Sequence, residues 1–130
     1  MTLRIVQLGT ARTVDEGLRI GTVRRPPRGV PSSEFASRDW YDVWYPELSP
    51  SPELVTLGRS ARSDKEWSQF VRRFRREMAA PVAAHTLDLL AALSHAANFS
   101  IGCYCAQENR CHRQVLRALL IERGAKLDEG

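Results

Sequence analysis

Apolar and polar residues alternate over Leu3–Leu8, which predicts a first strand, and the same reading gives a second at Leu18–Val23. Thr13-Val14-Asp15-Glu16-Gly17 between them is turn-like. The segment Arg24-Arg25-Pro26-Pro27-Arg28-Gly29-Val30-Pro31 excludes regular structure, because each proline removes a backbone donor and restricts its predecessor. It is read as a stiff, arginine-bearing loop at a strand end. Tyr41–Tyr45 predicts a short extended piece. Ser49–Glu53 predicts a turn into a short helix, with Ser51 as cap, Pro52 at the first helical position and Glu53 favoured by the helix dipole.

Ser63–Met78 carries the strongest helical pattern. Trp67, Phe70, Val71, Phe74 and Met78 fall on one face, Arg72, Arg73, Arg75 and Arg76 largely avoid it, and Ser63 with Glu66 makes a capping box. Pro81 ends this helix or opens the next, which Leu87, Leu90, Leu93 and Ala97 carry to about residue 97. Phe99–Cys105 is nearly continuous in apolar residues and predicts a buried strand. Val115–Arg123 reads as a last amphipathic helix stopped by Gly124, with the chain beyond Lys126 expected to fray. Helix, buried strand, loop and helix in succession predict an α/β fold: a compact single domain over 1–130, core about 3–125, with a mostly parallel central sheet flanked by helices. In such sheets ligands sit beyond the carboxyl ends of the strands. Two loops qualify, Arg24–Pro31 and Ala106–Arg113.

Composition narrows the class. A chain of 130 residues, 43% hydrophobic and 26% charged, suits one globular domain and not a disordered segment. No apolar run approaches the roughly 20 residues of a membrane span, and the N-terminus begins at once with a strand pattern and not a signal-peptide core. A cytoplasmic protein without membrane partners is expected. All three cysteines lie within Cys103–Cys111, an odd and clustered set that argues against a disulfide framework. The net charge of +4, carried mostly by arginine, fits a small anionic ligand as partner, with nucleic acid second. No cofactor motif stands out, and oligomeric state is not legible.

Candidate chemistry gathers at Cys105–Arg113. A thiol near a helix N-terminus, with His112 and Arg113 close by, has its thiolate stabilised by the dipole and by positive charge. The same N-terminus offers free N–H groups to an anion. Cys105 and Cys111 are therefore read as nucleophile candidates or as buried packing thiols, and Cys103 as core. A structural metal on Cys103, Cys105, Cys111 and His112 is the third reading, disfavoured because C-x-C-x5-C-H lacks the usual ligand spacing and because 103 and 105 would share one rigid strand. His112 is a candidate acid/base; Arg24, Arg28 and Arg113 are candidate anion clamps. His85 and His95 are expected at the surface, and Asp42, Trp44 and Tyr45 as pocket lining, Trp44 more as core.

The run Cys-Tyr-Cys, Ala-Gln-Glu-Asn-Arg, Cys-His-Arg over residues 103–113, followed by an apolar helix and Gly124, resembles the DUF488 family of uncharacterised proteins. Arg24…Pro27-Arg28-Gly29-Val30, Glu47-Leu48-Ser49-Pro50-Ser51 and Trp67…Phe70…Arg73-Phe74…Glu77 look like its YeaO-like branch. The resemblance runs from about residue 3 to 125. It implies a compact α/β domain whose site is formed jointly by the arginine loop and the Cys-His-Arg loop, and it nominates Arg24, Arg28, Cys105, Cys111, His112 and Arg113. The chain departs from the pattern at Val23 and Gln107, where many members carry acidic residues.

Overall fold

A computed structural model describes residues 1–128. Four strands form one sheet: β1 (Leu3–Gln7), β2 (Leu18–Gly21), β3 (Val43–Trp44) and β4 (Phe99–Cys103). Their order is β1-β4-β2-β3, and every pairing is parallel. Four helices accompany it: α1 (Pro52–Ser60), α2 (Asp64–Met78), α3 (Pro81–Leu93) and α4 (His112–Glu122). The expected α/β domain with a parallel sheet flanked by helices is what forms. Among the described residues, no helix is long and apolar enough to cross a membrane.

Strand alternation sorts the two sheet faces. Leu3, Ile20, Phe99 and Ile101 join the large core with Leu54, Phe70, Phe74, Leu87, Leu116 and Leu120 from the helices. Arg19, Gly21, Ser100 and Gly102 face the other way, where loops cover the sheet. Two glycines permit that close cover. A Cβ at Gly21 would lie 2.4 Å from the Tyr41 ring, and one at Gly102 would lie 2.7 Å from the Val6 carbonyl oxygen. Beneath this cover Arg19, fully buried, pairs with buried Glu16 at 2.7 Å and donates to the carbonyls of Thr10 and Asp39. Ser100 Oγ donates at 2.8 Å to Glu16 Oε2, the same oxygen that accepts from Arg19 Nε. Burial pushes the Glu16 carboxyl up, but the Arg19 and Ser100 hydrogen bonds outweigh it, and the net direction is down.

Local signals hold closely. Ser63 caps α2 by accepting from the Glu66 N–H at 3.1 Å, and Ser51 caps α1 behind Pro52. Five boundaries differ. The first two strands stop at Gln7 and Gly21, and α3 stops at Leu93, where Ser94 Oγ turns back to the Ala91 carbonyl. The buried strand ends at Cys103 and not Cys105, and α4 begins at His112, a turn earlier than its apolar pattern shows. The expected frayed tail is not what residues 126–128 form: Leu127 bridges Leu3, and Asp128 pairs with Arg4 at 2.9 Å. Residues 129–130 lie outside the described ones.

Candidate functional site

Because all strands are parallel, the loops leaving β1, β2 and β4 emerge at one sheet edge. The loop after β2 begins Thr22-Val23-Arg24, and the loop after β4 begins Tyr104-Cys105. They are tied together there. Tyr104 Oη donates to the Arg25 carbonyl at 2.7 Å, Thr22 Oγ1 donates to the Gly102 carbonyl at 3.0 Å, and His112 reaches Thr22. The two loops that the sequence nominated do meet.

Three thiols converge at this edge. Cys103 and Cys111 are buried in a small cluster with Leu8, Val23 and Tyr41, their sulfurs 2.9 Å apart. Cys105 is exposed, two residues beyond the strand end. Cys103, expected to be simple packing, is thus part of the same cluster. The shared hydrogen bonds divide the protons unequally. Those from Cys103 and then Cys111 pull the Cys105 thiol down to about 3, with help from Arg113 and Arg59 and against its partial burial. The Cys105 and Cys111 hydrogen bonds, together with burial, push Cys103 far up. Cys111 moves down, chiefly through Cys103 and with a contribution from His112, while Cys105 and burial oppose. Of the three sulfurs, the exposed one at Cys105 is where negative charge is most favoured and Cys103 is where it is least favoured.

The histidine tautomer follows from its partners. His112 Nε2 lies 2.7 Å from the Thr22 carbonyl, which only accepts, so the ring proton sits on Nε2. With Nε2 committed to that carbonyl, Nδ1 is the ring nitrogen turned toward Cys111 Sγ, 3.9 Å away. The Phe74 ring meets the imidazole edge-on at 5.9 Å and fixes its plane. His112 is thus the imidazole partner of Cys111.

The arginines play different parts from those expected. Arg113 is 4% exposed and donates to the Cys105 carbonyl at 2.7 Å, so it fastens the loop and supplies positive charge beside the thiolate. Its Nε is buried without a hydrogen-bond partner. Arg24 is also committed, donating to the carbonyls of Ser49 and Pro50 at the entry to α1. Arg28 is exposed and makes no hydrogen bond or ion pair among the described residues. Arg59, in the last turn of α1, faces Cys105 electrostatically and was missed by the sequence reading. No periodic or motif signal marks it, since its role arises from where α1 packs.

Cys103 Sγ, Cys111 Sγ and a His112 ring nitrogen lie within 4.8 Å of one another and are the metal-capable cluster among the described residues. The single-strand objection to such a site does not apply, because Cys105 lies beyond β4. The sulfur spacing is a separate matter. Zinc–sulfur bonds of about 2.3 Å in a tetrahedron hold two sulfurs roughly 3.8 Å apart, against 2.9 Å here. The arrangement as it stands is a thiol hydrogen-bond cluster.

Other expectations resolve plainly. Asp42 is held by Arg12 at 2.7 Å and accepts from the Arg19 N–H, and Trp44 is 43% exposed with its indole N–H on the Val23 carbonyl. Trp44 is therefore not core. Tyr45 does line a cavity of about 150 Å³ with Val43, Thr86 and Leu89, yet no thiol borders it. A larger hollow of about 250 Å³, between Trp67, Arg75, Gln114 and Ala118, likewise lacks them. His95 is exposed, its Nε2 2.8 Å from the Gly124 carbonyl, and His85 is exposed on α3.

No curated protein and no solved structure gives a match to this chain. A family model described as the active DUF488-N3 subclade, DUF488-N3a, matches residues 3–124. That span takes in every strand and helix, both loops and the whole thiol cluster, and on it the chain belongs to the DUF488 family.

Proposed function

We propose that this protein is a thiol-dependent enzyme acting on a small anionic, nucleotide-like substrate, with Cys105 as the nucleophile. The observation that carries the reading is the unequal set of thiols: Cys103 and Cys111 buried with their sulfurs 2.9 Å apart, and Cys105 exposed at the same strand end with its thiol pushed well down. A thiolate is the reactive form of cysteine, and fixed hydrogen-bond donors hold it ready without reorganisation. Arg113 positions the nucleophile through the Cys105 carbonyl. Arg59, exposed in the last turn of α1, and Arg28, exposed on the arginine loop, are the cations offered to an anionic substrate. The backbone N–H groups opening α4 add to them, since Cys111 caps that helix without a side-chain hydrogen bond. His112 takes or returns a proton through Cys111. The word "active" in the family description agrees with a catalytic role. The finer placement in the YeaO-like branch belongs to this proposal too, and rests on the Pro27-Arg28-Gly29 and Glu47–Ser51 residues.

The test is iodoacetamide labelling of each cysteine, resolved by peptide mass, with inorganic phosphate or adenosine monophosphate present or absent. Selective labelling of Cys105 that either anion slows supports the reading. Slow labelling at all three positions refutes it. Anion-insensitive labelling of Cys105 removes the anionic substrate. Binding of mixed oligonucleotides that weakens steeply with salt, without thiol protection, would favour a nucleic-acid module instead.

A further inference from the structure

The three cysteines divide into a pair and a single residue. Cys103 ends β4 and Cys111 is the N-cap of α4, and the fold brings these two together with their sulfurs 2.9 Å apart. Carbon atoms in simple packing contact settle at about 3.5–4.0 Å, and sulfur is the larger atom. The two sulfurs are therefore closer than packing alone brings them, and their Cβ–Sγ bonds converge. Neither is a surface thiol: Cys103 is 2% exposed and Cys111 3%, in a cluster completed by Leu8, Val23 and Tyr41. We propose that Cys103 and Cys111 are a redox pair, which hydrogen peroxide closes to a disulfide joining the two ends of the loop that carries Cys105. The inference goes beyond the enzyme reading and does not depend on the reactivity of Cys105.

The geometry needs little change to close the bond. Sulfurs in a disulfide are about 2.05 Å apart, so closure draws these together by only about 0.9 Å. Both ends are anchored in regular structure. Cys103 is held in register by its pairing with Gln7, and the Cys111 carbonyl accepts from the Gln114 N–H at 2.9 Å as α4 begins. The third member of the cluster supplies a base. Ligand-capable atoms of Cys103, Cys111 and His112 all lie within 4.8 Å of one another. His112 Nε2 is 2.7 Å from the Thr22 carbonyl, which leaves Nδ1, 3.9 Å from the Cys111 sulfur, to take that thiol's proton when the ring is neutral. Cys111 is thus the thiol that reacts first, and Cys103 the one that resolves. Burial selects the oxidant: a peroxide is small enough to reach covered sulfurs, and a bulky disulfide such as that of glutathione is not.

The chemistry balances in two steps. Cys111 gives its proton to His112 Nδ1, and its sulfur attacks one peroxide oxygen. A sulfur–oxygen bond forms, the oxygen–oxygen bond breaks, and the departing hydroxide takes the proton from His112 to become water. The Cys103 sulfur then attacks that of Cys111. A sulfur–sulfur bond forms, the sulfur–oxygen bond breaks, and the released hydroxide takes the Cys103 proton as a second water. Two thiols are oxidised and one peroxide is reduced to two waters.

The experiment treats the whole reduced protein with a stoichiometric amount of hydrogen peroxide, alkylates the remaining thiols under denaturing conditions, and maps tryptic peptides without reduction. Trypsin cuts after Arg110, between the two cysteines, so the bridge appears as Cys111-His112-Arg113 linked to the peptide that holds Cys103. The expected product has lost about two mass units before alkylation and carries its alkyl group on Cys105. After dithiothreitol all three cysteines alkylate. Cys105→Ser, a change at an exposed position, forms the same bridge. Cys103→Ser and Cys111→Ser lose it; if neither folds, the maps of the wild type and of Cys105→Ser decide. A bridge that includes Cys105, no bridge in Cys105→Ser, or two unmodified buried thiols in excess peroxide overturns the proposal. Iodoacetamide labelling separates the two readings. Fast labelling of Cys105 without the bridge leaves the enzyme reading standing, and the bridge with a sluggish Cys105 leaves only the redox pair.

Discussion

Replacing Arg19 by methionine keeps most of the side chain's volume and removes its charge from the loop-covered face of the sheet. Glu16, 3% exposed, would then keep only Ser100 and the Thr13 N–H as donors, and the carbonyls of Thr10 and Asp39 would lose theirs. Breaking a buried pair from one side costs about 3–5 kcal/mol, because the other charge is stranded. Domains of this kind have about 5–15 kcal/mol in all, so Arg19→Met takes a large part of the stability. Urea unfolding followed by tryptophan fluorescence measures the loss. The pH dependence checks the cause. In the wild type the Glu16 carboxyl is held below its ordinary value, so its contribution is present above about pH 4.3 and is lost as pH falls through the lower folded value. In the variant burial acts with weaker opposition, the folded pKa rises, and protonation relieves the stranded charge. The gap between the two proteins therefore narrows as pH falls from 7 toward 4. Adding Glu16→Gln to Arg19→Met recovers part of the loss at pH 7 by removing the stranded charge. A loss below about 1 kcal/mol, or a gap that does not change with pH, would refute the reasoning.

Three further outcomes follow from the same coordinates. Gly102→Ala puts a methyl 2.7 Å from the Val6 carbonyl oxygen, which cannot yield without breaking strand register, and costs about 1–3 kcal/mol or more in chemical denaturation. Arg113→Met removes both the hydrogen bond to the Cys105 carbonyl and a nearby positive charge, so the Cys105 thiol moves up and its labelling at pH 5 slows relative to pH 8. Arg59→Gln gives a smaller shift in the same direction, one that disappears in about 1 M salt because Arg59 is exposed and screened.

What the sequence makes legible is local or periodic. The Ser63–Glu66 box, the aromatic stripe of α2 and the proline entry to α1 depend on neighbours within a turn, and they appear where expected. The rule placing ligands beyond parallel strands led to the right sheet edge, because it follows from connectivity. The misreadings concern groups whose partners are distant in the chain. Arg113 passes for a surface residue until α4 is started at His112; then Arg113, Leu116 and Leu120 share one helical face, and the arginine is seen to be on the buried side. Arg24 resembles an open clamp because the carbonyls it binds come from Ser49 and Pro50. The thiol trio needed the end of β4 placed within two residues. With Cys105 still in the strand its sulfur would be fixed on the face of Cys103, whereas the strand ends at Cys103 and leaves Cys105 in the exposed loop.

The account turns on one property, that Cys105 is a thiolate across the physiological pH range. The direct measurement is the iodoacetamide rate at each cysteine of the wild-type protein between pH 5 and 8. With Cys105 lowered to about 3, its rate is nearly flat over that interval, while Cys103 and Cys111 label slowly throughout. A Cys105 rate that climbs about tenfold per pH unit toward 8.5, as an ordinary thiol's does, would contradict it.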